Sequence, residues 1–369
     1  MASAADDVRF MAEAIALGHE HLGLTSTNPS VGCVIVKDGV VVGRGVTAVG
    51  GRPHAEPQAL AQAGEDARGA TAYVTLEPCS HFGKTPPCAD ALVAAGVARV
   101  VVSVVDPDVR VAGRGLDKLR LAGIEVGSGV LEKEGRRALA GYLMRQTNGR
   151  PYVTLKLAVS ADGMIGRKGQ GQLPITGAAA RERVQFLRAE SDAILIGIGT
   201  AIADDPELTC RLPGLEDRSP IRIVLDEELR LPLESKLVRT AREVPVIAVA
   251  AEPPSFDDNR DDAFMTRRAA LDAAGVEVLQ CNLQQPNDLL RALASRGISS
   301  LLVEGGARAA RNFLDAGLID HILLFQGPAT IGEGGIESPV TPSDISAGFT
   351  HVGTSAFGAD RCDEYEREL

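Results

Sequence analysis

Residues 53–88 constrain this chain more than any other stretch. They open with Pro53-His54-Ala55-Glu56 and close with Pro78-Cys79-Ser80-His81-Phe82-Gly83-Lys84-Thr85-Pro86-Pro87-Cys88. One imidazole and two thiols, from His54, Cys79 and Cys88, make a donor set that suits Zn²⁺. Three protein ligands leave the fourth tetrahedral position to water, which is the catalytic rather than the structural pattern. Glu56 follows His54 by two residues, close enough to handle the protons of that water without binding the metal. The bland alternative, a structural zinc site or two unrelated core cysteines, requires a His, a Glu, two prolines and two cysteines to coincide.

His-x-Glu followed by Pro-Cys and a second Cys resembles the signature of zinc-dependent nucleobase-type deaminases. Cys79 and Cys88 have eight residues between them, unlike the Cys-x-x-Cys of deaminases that act on nucleic acids and free nucleosides. The long interval, filled by Ser-His-Phe-Gly-Lys-Thr-Pro-Pro, resembles the deaminase half of the bifunctional riboflavin-biosynthesis deaminase–reductase family.

Bulk properties narrow the remaining classes. A chain of 369 residues suggests about two domains. The formal net charge of −11, the absence of Trp and an aromatic content of 4% disfavour a nucleic-acid partner. No apolar run reaches membrane-spanning length, and the start, Met1-Ala2-Ser3-Ala4-Ala5-Asp6-Asp7, lacks the basic and apolar regions of a secretory signal. Cysteines at 33, 79, 88, 210, 281 and 362 are scattered, which argues for a reducing compartment and no disulfide framework. A cytoplasmic enzyme is expected, with no membrane partner.

Along the chain, residues 7–22 predict an amphipathic helix with Val8, Met11, Ala12, Ile15 and Leu22 on one stripe and Asp6 or Asp7 as cap. His19 and His21 fall near its end and are not expected to bind metal. Residues 31–36 and 40–44 predict a hairpin across Asp38-Gly39 with a type I′ turn. Helices are expected over 55–63, 88–95, 115–122 and 133–150, and strands over 72–76, 99–105 and 124–126. Both ligand-bearing stretches then lie at strand-to-helix junctions, where pockets form in layered α/β folds. Helix N-termini there also favour thiolate.

Thr147-Asn148-Gly149-Arg150-Pro151 marks a break, so two domains are expected, 1–149 and 150–369. After it, strands are predicted at 152–158, 193–196, 221–225, 244–249, 276–280, 300–303 and 321–325. Helices are predicted at 178–189, 286–296 and 307–316, with residues 162–177 as a loop and 257–262 as a charged surface segment. Alternating strands and helices argue a second α/β domain. Val303-Glu304-Gly305-Gly306-Ala307-Arg308, a strand ending in two glycines before a helix, would offer backbone N–H groups to a pyrophosphate; the alternative is a tight turn that needs Gly.

Leu155-Lys156-Leu157, Ser160-Ala161-Asp162-Gly163, residues 200–206 with Leu208-Thr209-Cys210-Arg211, and Val303-Glu304-Gly305-Gly306 resemble the reductase half of the same family. The resemblance therefore implies an α/β fold with a cytidine-deaminase-like three-layer α/β/α domain first and a dihydrofolate-reductase-like α/β domain second. It implies one Zn²⁺ per chain, NADPH, a phosphorylated aminopyrimidine as substrate and a homo-oligomer. Carried over residue by residue, it implies His54, Cys79 and Cys88 as metal ligands and Glu56 as proton carrier. Asn28, His81, Lys84 and Asp106 would line the deaminase pocket. Lys156 would stand near the reacting carbon of the reductase, with Arg181, Leu208, Arg211 and Glu304 on its substrate. Val159, Pro174, Thr200, Asp204, Gly306, Ala307, Arg308, Ala309, Ala310, Arg311 and Asn312 would meet the cofactor. Three alternatives stand beside this reading: a deaminase-only enzyme with an impaired second domain, a nucleic-acid deaminase, and a zinc-stabilised binding protein without catalysis.

Overall fold

The computed structural model describes residues 3–83, 85–252, 262–342, 345 and 348–367. They fall into two compact units, Met1–Gly149 and Arg150–Leu369.

In the first unit, α1 (Ala4–His19) starts from a capping box: the Ser3 hydroxyl accepts the Asp6 N–H, and the Asp6 carboxylate accepts the Ser3 N–H. Ser3, not Asp6 or Asp7, is therefore the cap. Asp7 is buried instead, accepting from Tyr73 Oη at 2.8 Å and from Arg99 at 2.7 and 2.9 Å. The buried stripe of α1 is Phe10, Met11, Ala14, Ile15 and Gly18, while Val8 and Ala12 face solvent. His19 is exposed and His21 Nδ1 lies 2.7 Å from Thr47 O.

The hairpin of β1 (Gly32–Lys37) and β2 (Val40–Val46) turns at Asp38 and Gly39, with φ of 51° and 79°, as a type I′ turn requires. Then follow α2 (Ala55–Ala63), β3 (Thr71–Leu76), α3 (Cys88–Ala95), β4 (Arg99–Val104), α4 (Arg114–Leu121) and β5 (Glu125–Ser128). The helix expected over 133–150 is two, α5 (Glu132–Ala138) and α6 (Ala140–Asn148), parted at Leu139 with φ −104° and ψ 9°. Leu139 leaves helical geometry and is buried in the core.

Strand order is β2-β1-β3-β4-β5, with β1 antiparallel to β2 and β3, and β3, β4 and β5 mutually parallel. Alternate strand residues feed two cores. Phe10, Met11 and Ala14 of α1 pack with Val34, Tyr73 and Val101 on one face. Ala55, Ala59, Leu92, Leu116 and Leu119 of α2, α3 and α4 pack with Cys33, Ile35, Val74 and Val102 on the other. This is a three-layer α/β/α arrangement. Two glycines of β2 let α2 lie close: a Cβ at Gly43 would come 2.2 Å from Ala59 O, and one at Gly45 2.1 Å from Ala55 O. The carboxyl ends of β3 and β4 share one edge, the place where such sheets put ligands.

The second unit runs β6 (Tyr152–Val159), β7 (Met164–Arg167), α7 (Ala178–Glu190), β8 (Ala193–Gly197), α8 (Ile198–Asp204), β9 (Ile221–Leu225), α9 (Lys236–Arg239) and β10 (Val246–Ala251). It continues with α10 (Asp262–Ala274), β11 (Glu277–Cys281), α11 (Pro286–Ser295), β12 (Ser300–Glu304), α12 (Ala307–Asp315), β13 (His321–Gln326), β14 (Gly335–Glu337), β15 (Phe349–Phe357) and β16 (Asp360–Arg367). Of the charged segment 257–262, residues 257–261 lie outside the described residues and Asp262 opens α10. Within the expected loop, β7 pairs with β14.

Among the described residues the large sheet has nine strands in the order β11-β10-β9-β8-β12-β6-β13-β16-β15. It is parallel from β11 to β13, and β16 runs antiparallel to both its neighbours. Helices α11 and α12 cover one face, with Leu290, Ala310 and Phe313 on Leu155, Leu157, Val159 and Val303. Helices α7 and α10 cover the other, with Val184, Leu187, Phe264 and Leu271 beside Ile194, Ile196, Leu302 and Phe325. Along β6, Leu155, Leu157 and Val159 are buried and alternate with the half-buried Thr154, Lys156 and Ala158, so Lys156 points to the face opposite Val159. All six cysteines are free. Among the described residues, no helix is long and apolar enough to cross a membrane.

Candidate active sites

His54 ends the loop after β2 and is the N-cap of α2; Cys79 follows β3; Cys88 opens α3. Each stands at a junction where the chain changes element, and the three meet. Their ligand atoms lie within 4.8 Å of one another. His54 Nδ1 is 3.3 Å from Cys88 Sγ and 3.8 Å from Cys79 Sγ. An imidazole nitrogen and a thiolate sulfur on one tetrahedral Zn²⁺ stand about 3.6 Å apart, given the usual bond lengths. The donor set and its spacing therefore fit zinc. The Cys88 N–H donates to Cys79 Sγ at 3.3 Å, so the first turn of α3 supports negative charge on that sulfur. Hydrogen bonding from Cys88, then from His54, outweighs burial and lowers the Cys79 thiol to about 4. The bond to Cys79 and burial push Cys88 up. A divalent cation bound between the two sulfurs would deprotonate the second thiol outright.

Glu56 sits in the first turn of α2 and is 3% exposed. Burial, then the charge of Cys79, raise its pKa. A carboxyl group so placed can both take and return a proton. The cavity in front of it has a volume of about 650 Å³ and is lined by Asn28, His81 and Asp106 among others. Lys84 lies outside the described residues. His81 Nδ1 is buried without a hydrogen-bond partner, so the ring has a polar atom to offer a ligand. Asn28 packs over Gly51, where an added Cβ would come 2.3 Å from Nδ2. Asp106, just beyond β4, accepts the Asp108 N–H at 2.9 Å and the Tyr142 hydroxyl at 3.0 and 3.1 Å.

Arg52, Arg110, Tyr142 and Arg145 also line this cavity and were not found by sequence reasoning. The Arg110 guanidinium grips the buried Asp108 carboxylate through Nε at 2.9 and 3.0 Å and through Nη2. Glu77 has a structural duty: it accepts the backbone N–H groups of Asp106, Gly113, Gly115 and Leu116 at 2.9 to 3.3 Å. It thereby holds the loop that carries Asp106.

In the second unit, polar side chains meet at the carboxyl ends of β6 and β12. Lys156 and Glu304 are register partners on these neighbouring strands, and Lys156 Nζ is 3.6 Å from Glu304 Oε1. Arg188 of α7 clamps both Glu304 oxygens, at 3.1 Å from Nε and 2.9 Å from Nη2. It also donates to Thr209 O at 3.1 Å. Burial opposes ionisation of Glu304, but Arg188 and then Lys156 prevail and hold its pKa down at about 2. The arginine that reaches this cluster is Arg188. Arg181, two turns earlier on α7, is exposed and donates to Thr176 O at 2.6 Å. Arg211 is exposed and pairs with Glu207 at 3.2 Å, and Leu208 is buried with φ 59°.

Beside that cluster, Gly306 caps α12 with φ 84°, and a Cβ there would come 2.9 Å from Thr200 Oγ1. The bare backbone of Gly306 beside the Thr200 hydroxyl and the first-turn N–H groups of α12, which no intrahelical carbonyl accepts, form a set of donors that fits a cofactor pyrophosphate. Asp204 closes α8, its pKa raised by burial. Pro174 lines a separate cavity of about 350 Å³ with Thr176, Phe357 and Asp360. The other expected cofactor residues differ in burial. Val159, Ala309 and Ala310 are core side chains, because β6 and α12 each bury one face, and the Ala310 N–H is already given to Gly306 O. Arg308, Arg311 and Asn312 are exposed and Ala307 is half-buried.

Residues 4–104 match the cytidine and deoxycytidylate deaminase zinc-binding region, and residues 151–362 match the RibD C-terminal domain. The riboflavin biosynthesis protein RibD of Aquifex aeolicus is 42% identical over 328 residues, which is 89% of this chain and 88% of that protein. RibD of Escherichia coli is 41% identical over 338 residues, 88% of this chain and 89% of that protein. The solved structure of Acinetobacter baumannii RibD is similar with a TM-score of 0.85 at 37% identity, covering 100% of both chains. That of a diaminohydroxyphosphoribosylaminopyrimidine deaminase/5-amino-6-(5-phosphoribosylamino)uracil reductase from Thermotoga maritima gives 0.85 at 32% identity, covering 99% of both. Matched in both halves, in order and over nearly its whole length, the chain belongs to the RibD family of riboflavin-biosynthesis deaminase–reductases.

Proposed function

We propose that the first unit hydrolytically deaminates 2,5-diamino-6-(5-phosphoribosylamino)pyrimidin-4(3H)-one and that the second reduces the ribosyl group of the product to ribityl with NADPH. The product is 5-amino-6-(5-phosphoribitylamino)uracil. The observation that carries this reading is the meeting of His54, Cys79 and Cys88 within 4.8 Å beside the buried Glu56. The match of residues 151–362 to the RibD C-terminal domain supports a working second step and gives the deaminase-only alternative no support.

At the first site His54 Nδ1, Cys79 Sγ and Cys88 Sγ would hold zinc, whose Lewis acidity brings the pKa of water toward ~7. Glu56 takes the proton of the attacking water on its carboxylate. It passes that proton to the ring nitrogen, then takes the proton of the hydroxyl now on the ring carbon and passes it to the departing amine, which leaves as ammonia. Asn28, His81 and Asp106 orient the ring, and Lys84 supplies positive charge for the substrate phosphate.

At the second site the backbone of Gly306, Ala307 and Arg308, with Thr200 and Asp204, would hold NADPH, which supplies the hydride for the ribosyl C1. Glu304 stays ionised at neutral pH and accepts from sugar hydroxyls. Arg188 and Lys156 fix its carboxylate, and the Lys156 ammonium favours the oxygen that gains charge as the ring opens. Arg181 and Arg211 are exposed guanidinium groups suited to the substrate phosphate. The scattered, free cysteines support a reducing, cytoplasmic compartment, and the family resemblance supports a homo-oligomer.

A coupled assay on the full chain tests the reading, following ammonia and NADPH absorbance together. Glu56→Gln should lower ammonia release by about 10²–10⁴-fold, retain zinc, and leave reduction of the deaminated substrate intact. Full ammonia release by this variant would end the role given to Glu56.

A further inference from the structure

Tyr142 belongs to α6, which comes after the last strand of the first sheet, yet its hydroxyl reaches back to the Asp106 carboxylate beyond β4. Both residues line the cavity that holds Glu56. Asp106 is 5% exposed. Burial pushes its pKa up to about 6, while the Asp108 N–H and the Tyr142 hydroxyl work the other way. An ionised carboxylate is acceptor-only and offers about four lone-pair positions. Among the described residues the donors recorded on the Asp106 carboxylate are one N–H and one O–H, fewer than the positions it offers. The substrate class already inferred, a diaminopyrimidinone, presents N–H donors at its ring edge.

We infer that Tyr142 is a positioning residue of the deamination reaction, holding the Asp106 carboxylate charged and aimed so that it accepts hydrogen bonds from the aminopyrimidine ring. The inference rests on the deaminase reading of the first unit. The hydroxyl is separable from the packing of the ring: Tyr142 borders the core that contains Leu139 and Leu143, and Phe would keep that contact. The charged and titratable groups around Asp106 are on neighbouring segments. Asp108 and Arg110 follow it on its own loop, Glu77 accepts its N–H from the end of β3, and Arg145 and His81 border the same cavity. Arg110 is engaged by Asp108, and Glu77 is engaged by backbone N–H groups. Among the described residues, Tyr142 is the side chain recorded as donating directly to Asp106.

The test is Tyr142→Phe in the full, zinc-loaded chain, with ammonia release measured across pH 5 to ~8.5, the range in which a carboxyl of this kind titrates. Loss of the hydroxyl removes a bond that favours the charged form. The acid limb of kcat/KM should move to higher pH, and KM for the pyrimidine should rise about tenfold, with kcat changing less. Zinc content, the melting midpoint and reduction of the deaminated substrate should match the parent. Asp106→Asn should leave an acid limb set by Glu56, and adding Tyr142→Phe to it should neither move that limb nor raise KM further. An unchanged acid limb and KM in Tyr142→Phe would overturn the inference. So would a loss shared equally by zinc content or by the reductase, since that marks a packing role. A parent protein that releases no ammonia would instead sink the deaminase reading itself.

Discussion

The two sites are built on opposite plans. The first gathers its metal ligands and proton carrier from one run of 35 residues, 54–88, using residue types that rarely coincide by accident. The second joins Lys156, Arg188 and Glu304, common residues spread over three elements: sheet register pairs the first and last, and the packing of α7 on the sheet adds Arg188. The first site depends on an ion that three side chains share, so its response to damage should be all-or-none. The second is a network of charge pairs and backbone donors, so its response should be graded.

Cys79→Ala is the largest break of that contrast. Zinc should fall from about one per chain to near none by metal analysis, and ammonia release should drop below detection. NADPH oxidation with the deaminated substrate should stay within about twofold, as the two sites share no residues. A reductase that fails in step would show the sites to be coupled.

Glu304→Gln probes the graded side. It leaves two largely buried cations, Arg188 and Lys156, without their anion, which costs about 3 kcal/mol and should appear in denaturant unfolding of the full chain at pH 7. The Glu304 pKa of about 2 lies below the ordinary ~4.3. Its contribution is therefore present above ~4.3 and is lost as pH falls toward 2. The parent should lose that stability on acidification and the variant should not. Equal acid slopes would remove Glu304 from the buried network.

The smallest effect is expected from Gly306→Ala. The new Cβ would meet Thr200 Oγ1 at 2.9 Å and force a side chain onto φ 84°, a cost of about 1–2 kcal/mol. KM for NADPH should rise about tenfold while deamination is untouched. An unchanged KM would move the cofactor phosphates away from α12.

The same contrast explains what could be read from the sequence. Soft ligands at motif spacing announce themselves, and α2 and α3 run over the residues expected, 55–63 and 88–95. Arginine on a helix does not. Arg181 and Arg188 are seven apart, so they share one face of α7 and differ only by about 10.5 Å of rise; strand register, invisible in one dimension, puts Glu304 beside the second. Val159, Ala309 and Ala310 were expected at a cofactor from the family resemblance; amphipathic elements turn their side chains into the core, which leaves their backbone for such a contact. Tyr142 escaped notice because the expected continuous helix hid the bend at Leu139 that separates α5 from α6. The β7–β14 pair was missed because strands of four and three residues carry little alternation, and the β15–β16 hairpin because β15 is mostly exposed and β16 is built largely of charged residues.

The side-chain-free seam of β2 has a consequence for how this enzyme can change. Gly43 and Gly45 leave no room for a methyl group against the backbone of α2, and His54 and Glu56 ride on the start of that helix. Ion binding and proton transfer are therefore mounted on a single tile. Enlarging either glycine would tilt both at once, so neither property can be retuned there without disturbing the other.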